Sequence, residues 1–540
     1  MRTRKRNHCA ADLDHARNRV LRRSDWRFLL SAPYPDVSVV YAGVELAAAV
    51  RAVSQRVVDG SREQPPDAGC DLAVGERPDA ATLRTMWSAL RPGGACYTEW
   101  TTRLGPGPAR IRQRLTAAGF ADVVCYSPRP SPARESSQVW LPLGAASARR
   151  WHMSQSHGGL RHHLTRMARR IGWSVANWLP VAVPISVLAR KPARSGDLTA
   201  QLDAPKGDFQ RELRRALAAQ RPPGARDGRE EPWVLLTPGT HVLNKIVLLA
   251  IAPNGTVDFV VKVPRTVASD RAVMREATVL EAVHAILGDV SGIPRVLCAG
   301  LCAGIAIVAE TALSGVPVSQ LARHGDCRAL GMQSVTWQAK LVHGRASSAD
   351  GSWWRRLVEP ILTFVEGPLA ALADPDSIRD TKAALVGLRP LPIACEQRDF
   401  SPWNVLVTPE GDLAVLDWES GEPHGLPALD LIYFLTYLAA CRDGAPTIER
   451  VRHVHRSTLD PTTASGTITA ECLRRYAELV GMDLSSLWPL RLMCWLVHAR
   501  SEFGRLEQVL GRRPDSSALR DSLFVALWQQ ELDMAAGATA

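Results

Sequence analysis

Residues 396–420 read Glu-Gln-Arg-Asp-Phe-Ser-Pro-Trp-Asn-Val-Leu-Val-Thr-Pro-Glu-Gly-Asp-Leu-Ala-Val-Leu-Asp-Trp-Glu-Ser, and this stretch decides the fold of the C-terminal part. Asp399 and Asn404 stand five residues apart across a proline, which predicts that they share a loop. Two short apolar runs separated by a turn follow, and Asp417 comes directly after the second. Because a hairpin returns the chain to its start, we expect Asp417 to lie beside Asn404.

These three side chains supply two carboxylates and an amide oxygen. Oxygen ligands of this kind suit Mg²⁺ that is held together with substrate phosphates. Phosphoryl transfer needs such a metal and a carboxylate that accepts a hydroxyl proton. We therefore predict a Mg²⁺ site and a catalytic carboxylate among Asp399, Asn404 and Asp417. The alternative is an ordinary hairpin with acidic residues on its surface.

The same stretch resembles the aminoglycoside phosphotransferase and choline kinase group, which is related to protein kinases. The family pattern is His-Gly-Asp, four residues, Asn, and then Asp-Trp/Phe-Glu after a hairpin. Here it reads Gln397-Arg398-Asp399, Asn404 and Asp417-Trp418-Glu419, and residues 427–431 match the next motif, Pro-x-x-Asp-Leu. The resemblance implies a bilobal protein-kinase-like fold, ATP and Mg²⁺ as cofactors, and transfer of a phosphoryl group to a hydroxyl of a small polar acceptor. It also implies that Asp399 is the catalytic carboxylate and that Asn404 and Asp417 are the metal ligands.

Two positions depart from the family pattern. The family's His is Gln397 here, and its Gly is Arg398. In the family, the His braces the loop that contains the positions of Asp399 and Asn404 (the catalytic loop). Gln can also donate and accept hydrogen bonds, so it can substitute for the His. The resemblance implies that Asp430 braces the same loop.

Residues 232–315 have the order of a kinase small lobe. Asn254-Gly255 predicts a hairpin between two apolar strands, and the second strand carries Lys262. A helix is predicted from about residue 269 to residue 287, and it contains Glu276. The resemblance implies that Lys262 contacts the α- and β-phosphates of ATP and that Glu276 pairs with Lys262. For Lys262 the alternative is an outward-facing lysine on a strand. The phosphate-covering loop would be residues 237–244, which contain one glycine.

Strands and helices alternate over residues 25–195, which predicts a parallel sheet that is covered on both faces. The strand candidates include residues 37–41, 71–74, 95–100 and 185–191, and a helix is expected over 45–58. The order of these elements, with Arg-Pro-Gly-Gly at residues 91–94, resembles a class I methyltransferase. S-adenosylmethionine sites of that fold use a glycine-rich turn after the first strand, but here the turn has one glycine, Gly43. We therefore expect a degenerate, truncated methyltransferase-like domain without its cofactor.

The net charge of +11 is concentrated in the first part of the chain. Residues 1–200 contain 30 Lys and Arg against 15 Asp and Glu. Without a nucleic-acid motif we do not expect a nucleic-acid partner, and the basic patch at residues 161–170 leaves an acidic partner open. Scattered cysteines, no apolar run after the basic N-terminus and no window long enough to span a bilayer predict a cytoplasmic protein without a transmembrane segment.

The sequence thus predicts a fold of mixed class, α/β followed by α+β: a truncated doubly wound parallel sheet precedes a protein-kinase-like phosphotransferase. Two alternatives remain open, a pseudokinase-type nucleotide-binding or regulatory protein without turnover, and a bifunctional protein with residual methyltransferase activity. The predicted domains are a basic arm, 1–24; the methyltransferase-like domain, 25–195; a linker, 196–231; the small lobe, 232–315; and the large lobe, 316–540.

Overall fold

The structure is a computed structural model, and it describes residues 18–100, 106–129, 138–154, 184–193, 208–220, 232–239, 241–345, 351–388, 390–444 and 447–539. The chain divides into two compact units. The first unit is Met1–Met274 with Val296–Ala312, and the second is Arg275–Arg295 with Leu313–Ala540. No helix among the described residues combines the length and the apolarity that crossing a membrane requires.

The first unit is built on strands with a few covering helices. Its strands are β1 (Val37–Tyr41), β2 (Arg56–Asp59), β3 (Cys70–Glu76), β4 (Leu90–Trp100), β5 (Ala121–Arg129), β6 (Gln138–Pro142), β7 (Ile185–Arg190), β8 (Val234–Thr237), β9 (Lys245–Ile251), β10 (Val257–Pro264), β11 (Val296–Cys302) and β12 (Ile305–Thr311). Its helices are α1 (Val44–Arg51), α2 (Ala80–Ala89), α3 (Pro108–Ala117), α4 (Ala146–Ser154) and α5 (Phe209–Ala218), and α6 (Asp270–Leu287) begins in this unit.

Within the described residues, these twelve strands form one sheet in the order β11-β12-β10-β9-β8-β6-β5-β7-β4-β3-β1-β2. The strands β2, β1, β3 and β4 are parallel, as the sequence predicted for the N-terminal part. The strand β7 is inserted antiparallel between β4 and β5. The sheet then continues into the predicted small lobe, because β6 pairs antiparallel with β8.

This continuity across β6 and β8 was not predicted from the sequence. A single apolar core accompanies it on one face of the sheet, and the core includes side chains from both groups of strands, such as Leu72, Tyr97, Trp140, Leu235 and Val261. The predicted domain boundaries remain a prediction, and the core and the strand pairing cross the predicted linker. Within that linker the structure describes residues 208–220, and α5 buries its apolar side in the same core.

The predicted helix over residues 45–58 is wrong in its second half. Helix α1 ends at Arg51, and residues 56–59 form β2. Two β-branched residues explain the difference, because Val57 and Val58 pair with β1 in a parallel ladder that favours such side chains. The passage from β1 to β3 therefore contains a helix and a short strand, and β3 follows without a second helix.

The N-terminal segment packs against this core before β1 begins. A short 3₁₀ turn, Asp25–Leu29, buries Trp26, whose ring is stacked on Tyr97 at 3.7 Å. Arg23 donates two hydrogen bonds to Glu99. Of the predicted basic arm, residues 1–17 lie outside the described residues, and Arg23 near its end is largely buried.

The second unit is mainly helical, with two three-stranded sheets, β13-β16-β17 and β14-β15-β18. Its strands are β13 (Val316–Pro317), β14 (Val342–Arg345), β15 (Pro392–Glu396), β16 (Val405–Val407), β17 (Leu413–Val415) and β18 (Glu422–Gly425). Its helices are α7 (Val318–Leu321), α8 (Cys327–Ala339), α9 (Ser352–Leu357), α10 (Glu359–Phe364), α11 (Pro375–Val386), α12 (Leu429–Arg442), α13 (Ile448–Leu459), α14 (Ala464–Val480), α15 (Leu487–Leu510) and α16 (Leu523–Thr539).

Helix α12 is the centre of this unit, because every residue from Leu429 to Cys441 is buried. The sequence pattern of residues 353–373 predicts a helix, but the structure divides this stretch into α9, α10 and a π-helical turn, Val365–Leu369. Pro360 and Pro368 explain the division, since each lacks the backbone N–H that a continuous helix needs.

Candidate active site

The strands β16 and β17 form the predicted hairpin, with Val405 opposite Val415. The Leu416 N–H donates to the carbonyl of Asn404 at 2.9 Å, so the residue before Asp417 is bonded to Asn404. The side-chain amide of Asn404 donates to Asp399 Oδ2 at 2.9 Å and to its carbonyl at 3.0 Å. The structure thus brings together the three residues that the sequence predicted.

The chemistry of these residues fits a hard cation. The amide nitrogen of Asn404 is bonded to Asp399, which leaves the amide oxygen for a metal ion. Burial and the charge of Asp417 raise the pKa of Asp399 to about 7, while Arg505 and the Asn404 amide act in the opposite direction. The effect of Asp417 means that two carboxylates lie near one another, and carboxylate and amide oxygens are ligands that Mg²⁺ accepts.

Gln397 braces the catalytic loop with both ends of its amide. Its Nε2 donates to the carbonyls of Leu416, at 2.9 Å, and Asp417, while its Oε1 accepts from the Asp399 N–H at 2.8 Å. A side chain that donates and accepts at once was expected at this position. The loop is therefore supported although the family's histidine is absent.

Asp430, the first acidic residue of α12, also holds the backbone of this loop. Its two carboxylate oxygens accept from the backbone N–H groups of Gln397, at 2.6 Å, and Arg398, at 2.9 Å. Burial and the charge of Glu396 raise the pKa of Asp430 to about 7 against the effect of these two bonds. The bracing that the resemblance implied for Asp430 is present in this geometry.

Three residues around the loop adopt the left-handed backbone conformation without being glycine. Arg398, Asp417 and Ala428 have φ values of 64°, 65° and 67°. Such residues are strained by about 1–2 kcal/mol each, and strained backbone is concentrated at functional sites. The family's Gly at position 398 suits this conformation, whereas Arg398 is held in it by an ion pair with Glu396 at 2.8 Å.

The predicted pair of Lys262 and Glu276 has different partners in the described contacts. Lys262 lies on β10, and its Nζ is 2.7 Å from Glu310 Oε1 on β12, with both side chains buried. Glu276 is completely buried, and its Oε1 accepts from the Trp418 N–H at 3.0 Å. The pairing of Lys262 with Glu276 stays a prediction, and Glu310 is a partner that sequence reasoning did not find.

Aromatic residues next to Asp399 were also missed. The Tyr433 hydroxyl lies 3.5 Å from Asp399 Oδ1, and the Tyr433 ring stacks on His498 at 4.2 Å. Tyr437 contacts Tyr433 and Trp403. The spacing of Asp430, Tyr433 and Tyr437 on one face of α12 was a signal that could have found two of them.

On sequence grounds, three charged residues of α15, Arg500, Glu502 and Arg505, are candidates for the rim of an acceptor pocket, and the alternative is a solvated helix face. The charge of Arg505 acts on Asp399, and Glu502 acts on Tyr437, which contacts the same aromatic group. Arg500 instead lines a cavity of about 660 Å³ between α15 and α10. Of the three residues, Arg505 and Glu502 thus act electrostatically on groups of the candidate site.

Residues 242–466 match the model of the phosphotransferase enzyme family, APH. The family resemblance is thus confirmed for this segment, which is less than half of the chain. The segment contains β9 to β12, the loop with Asp399 and Asn404, the hairpin of β16 and β17, and Asp430. The comparison with curated proteins found no match.

Solved structures of aminoglycoside phosphotransferases are similar to this chain at low identity. The GDP and kanamycin complex of APH(2″)-IIia is 14% identical, with a TM-score of 0.34, and covers 60% of this chain and 98% of its own. The ADP and streptomycin complex of APH(3″)-Id from Streptomyces rimosus is 15% identical, with a TM-score of 0.31, and covers 56% and 99%. An S-adenosylmethionine-dependent methyltransferase from Thermotoga maritima, described as a possible histamine N-methyltransferase, is 10% identical, with a TM-score of 0.20, and covers 32% and 91%. At these scores the likenesses support no conclusion about function.

In the turn after β1, where a methyltransferase would hold its cofactor, a side chain of this protein bonds to the backbone. The Gly43 N–H donates to Glu76 Oε2 at 3.2 Å. At the end of β2, the Asp59 carboxylate accepts from the backbone and the hydroxyl of Ser61. Both acidic groups are thus bonded within the chain. The basic patch at residues 161–170 lies outside the described residues.

Proposed function

We propose that this protein transfers the γ-phosphoryl group of ATP to a hydroxyl of a small polar acceptor. The observation that carries the proposal is the catalytic loop, in which Asn404 holds the half-buried carboxylate of Asp399 beside the hairpin that ends at Asp417. The family match over residues 242–466 supports it.

In the proposed reaction the acceptor oxygen bonds to the γ-phosphorus while the bond from that phosphorus to the bridging oxygen breaks, and ADP leaves. Asp399 accepts the hydroxyl proton, and its pKa of about 7 suits a base that operates near neutral pH. Asn404 and Asp417 hold Mg²⁺, which supplies positive charge against the phosphate oxygens. Lys262 contacts the α- and β-phosphates, and Glu276 pairs with Lys262 as the resemblance implies.

Calorimetric titration with ATP, with and without Mg²⁺, tests the nucleotide site. We expect binding that depends on Mg²⁺ and that is lost in Asp417→Ala. The matched control is Asp412→Asn, an exposed acid in the turn of the same hairpin. Absence of binding at millimolar ATP would overturn the proposal.

The second candidate function is a nucleotide-binding or regulatory protein without turnover. Gln397 and Arg398, which replace the family's His and Gly, favour it. The hydrogen bonds of Gln397 weigh against it, because they brace the loop as the replaced residue would. Measuring ADP release from ATP with a panel of acceptors distinguishes the two functions. ATP binding without ADP release in the presence of any acceptor favours the protein without turnover.

The bifunctional alternative receives no support from the Gly43 turn, where the Glu76 carboxylate is bonded to the backbone. Binding of S-adenosylmethionine in the same calorimetric assay would revive it. We also propose a reducing cytoplasmic compartment, which the free cysteines among the described residues support.

A further inference from the structure

Arg265 joins the predicted phosphate-covering loop to the rest of the first unit. It follows β10, three residues after Lys262, and its side chain is completely buried. Its guanidinium donates to the carbonyl of His241 at 2.6 Å and to those of Pro238 and Gly239 at 3.3 Å each. Three carbonyls of residues 237–244 therefore converge on one cation.

The other side of this guanidinium is held by the N-terminal segment. Arg265 Nε and Nη2 bond to the two carboxylate oxygens of Asp25 at 3.2 and 3.0 Å, and both side chains have no exposed surface. Arg27 also donates to the Arg265 carbonyl. Burial raises the pKa of Asp25, and the charges of Arg265 and Arg27 act in the opposite direction. A planar guanidinium that donates two bonds to a carboxylate has little freedom to turn, so Asp25 fixes the direction of the remaining donors.

The segment that carries Asp25 is itself fixed. The next residue, Trp26, is fully buried and stacked on Tyr97 of β4. Other hydrogen bonds also hold the loop: the Asn244 side-chain amide donates to the Pro238 carbonyl, the Leu243 and Asn244 N–H groups donate to His241, and the Thr266 hydroxyl donates to the Val242 carbonyl. Arg265 adds the contacts that connect this loop, through Asp25, with the core of the N-terminal strands.

We propose that Asp25, acting through Arg265, positions the loop that covers the nucleotide phosphates, so that the N-terminal part of the chain is a working component of the nucleotide site. The inference rests on the proposed function. Asp25 and Arg265 are positioning residues, because nothing assigns them a contact with the reacting atoms. The partner of the phosphotransferase region is then the chain's own N-terminal segment.

The test compares Asp25→Asn with the wild-type protein by two measurements. Hydrogen exchange of the amides in residues 237–244 is measured without nucleotide, and the dissociation constant for ATP with Mg²⁺ is measured by calorimetry. In the variant the guanidinium loses its charged partner, so we expect loop exchange to rise by about tenfold or more and ATP to bind about tenfold more weakly.

Glu99→Gln is the matched control, since it breaks a second ion pair of the same segment, Arg23 with Glu99, that does not contact the loop. We expect it to lower stability while loop exchange and ATP affinity stay at wild-type values. If Glu99→Gln changes the loop as much as Asp25→Asn does, the effect is general destabilisation and the proposal is wrong.

Arg265→Lys decides the matter if Asp25→Asn does not fold. A lysine can keep a charged contact with Asp25 but cannot bond three carbonyls in the same geometry. We expect faster exchange in the loop with the remainder of the first unit unchanged. Wild-type exchange in this variant would overturn the inference alone, whereas absence of ATP binding by the wild-type protein would overturn the proposed function.

Discussion

The catalytic loop and the predicted phosphate loop are stabilised by residues at very different sequence separations. The catalytic loop is braced by Gln397 within it and by Asp430, 33 positions from Gln397. The phosphate loop depends on Arg265 and, beyond it, on Asp25, which is 240 positions from Arg265. A short motif can therefore reveal the first loop, while the second requires the fold of the whole first unit.

The largest effect is expected from a change in the catalytic loop, which is braced by residues near it in the sequence. Asp399→Asn keeps the shape of the side chain but cannot accept the proton, so turnover should fall by roughly 100- to 10,000-fold while ATP still binds. ADP release with an active acceptor measures the rate, and calorimetry measures ATP binding.

Glu410→Gln, at an exposed position in the turn of the hairpin, serves as the control for Asp399→Asn and should behave like the wild-type protein. Wild-type turnover in Asp399→Asn would show that another group accepts the proton.

A second prediction concerns long-range contacts in the helical unit. The buried carboxylate of Glu531 on α16 accepts from Arg491, His455 and Trp495 at 3.0 Å each. Glu531→Gln leaves the largely buried cation of Arg491 without its charged partner, so the free energy of unfolding at pH 7 should fall by about 3 kcal/mol. Urea denaturation measures it, with the exposed Glu478→Gln as a control that should cost about 0–1 kcal/mol.

The same carboxylate predicts a pH dependence of stability. Burial alone would raise the pKa of Glu531, but Arg491, His455 and Trp495 lower it to about 2, from 4.5. A lowered pKa means that its contribution is complete above pH 4.5 and is lost as the pH falls from 4.5 towards 2, by about 3 kcal/mol in total. Equal acid sensitivity in Glu531→Gln and the wild-type protein would contradict this.

The ion pair of Lys262 with Glu310 is a further contact of the first unit that joins residues far apart in the sequence, and a substitution tests its contribution. Glu310→Gln leaves the buried ammonium group with a neutral acceptor, so the free energy of unfolding should fall by about 1.5–3 kcal/mol, and ATP affinity should fall with it. Thermal denaturation and calorimetry measure the two effects. Glu281→Gln, an exposed acid on α6, is the control; if Glu310→Gln leaves both quantities unchanged, Glu310 does not hold Lys262.

The smallest effect concerns backbone strain beside the catalytic loop. Ala428 has φ of 67°, so Ala428→Gly should stabilise the protein by about 0.5–1 kcal/mol. The same change at Ala440, within the regular helix α12, should instead cost about 1 kcal/mol. Opposite signs in urea denaturation support a local origin of the strain, and equal signs would contradict it.

The sequence predicted those parts whose contacts are near in the chain. The hairpin around Asn404 and Asp417 and the strands of both sheet regions follow from spacing and periodicity, and the bracing by Asp430 follows from the family resemblance. The pairing of β6 with β8 could not be predicted, because alternating apolar residues do not say which distant strand they will meet. The same limit applies to Asp25, Glu310 and the division of the helix over 353–373 at its prolines.

The pairing of β6 with β8 also has a consequence for how the chain folds as it is synthesised. Gln138 bonds to Thr237, so β6 has no neighbour on that side until 99 more residues have been translated. At about 5–20 residues per second this interval lasts roughly 5–20 s. During that time the nascent protein presents an apolar strand edge, a site where another chain could pair. Pairing with β8 is thus also the step that covers this edge of the N-terminal strands.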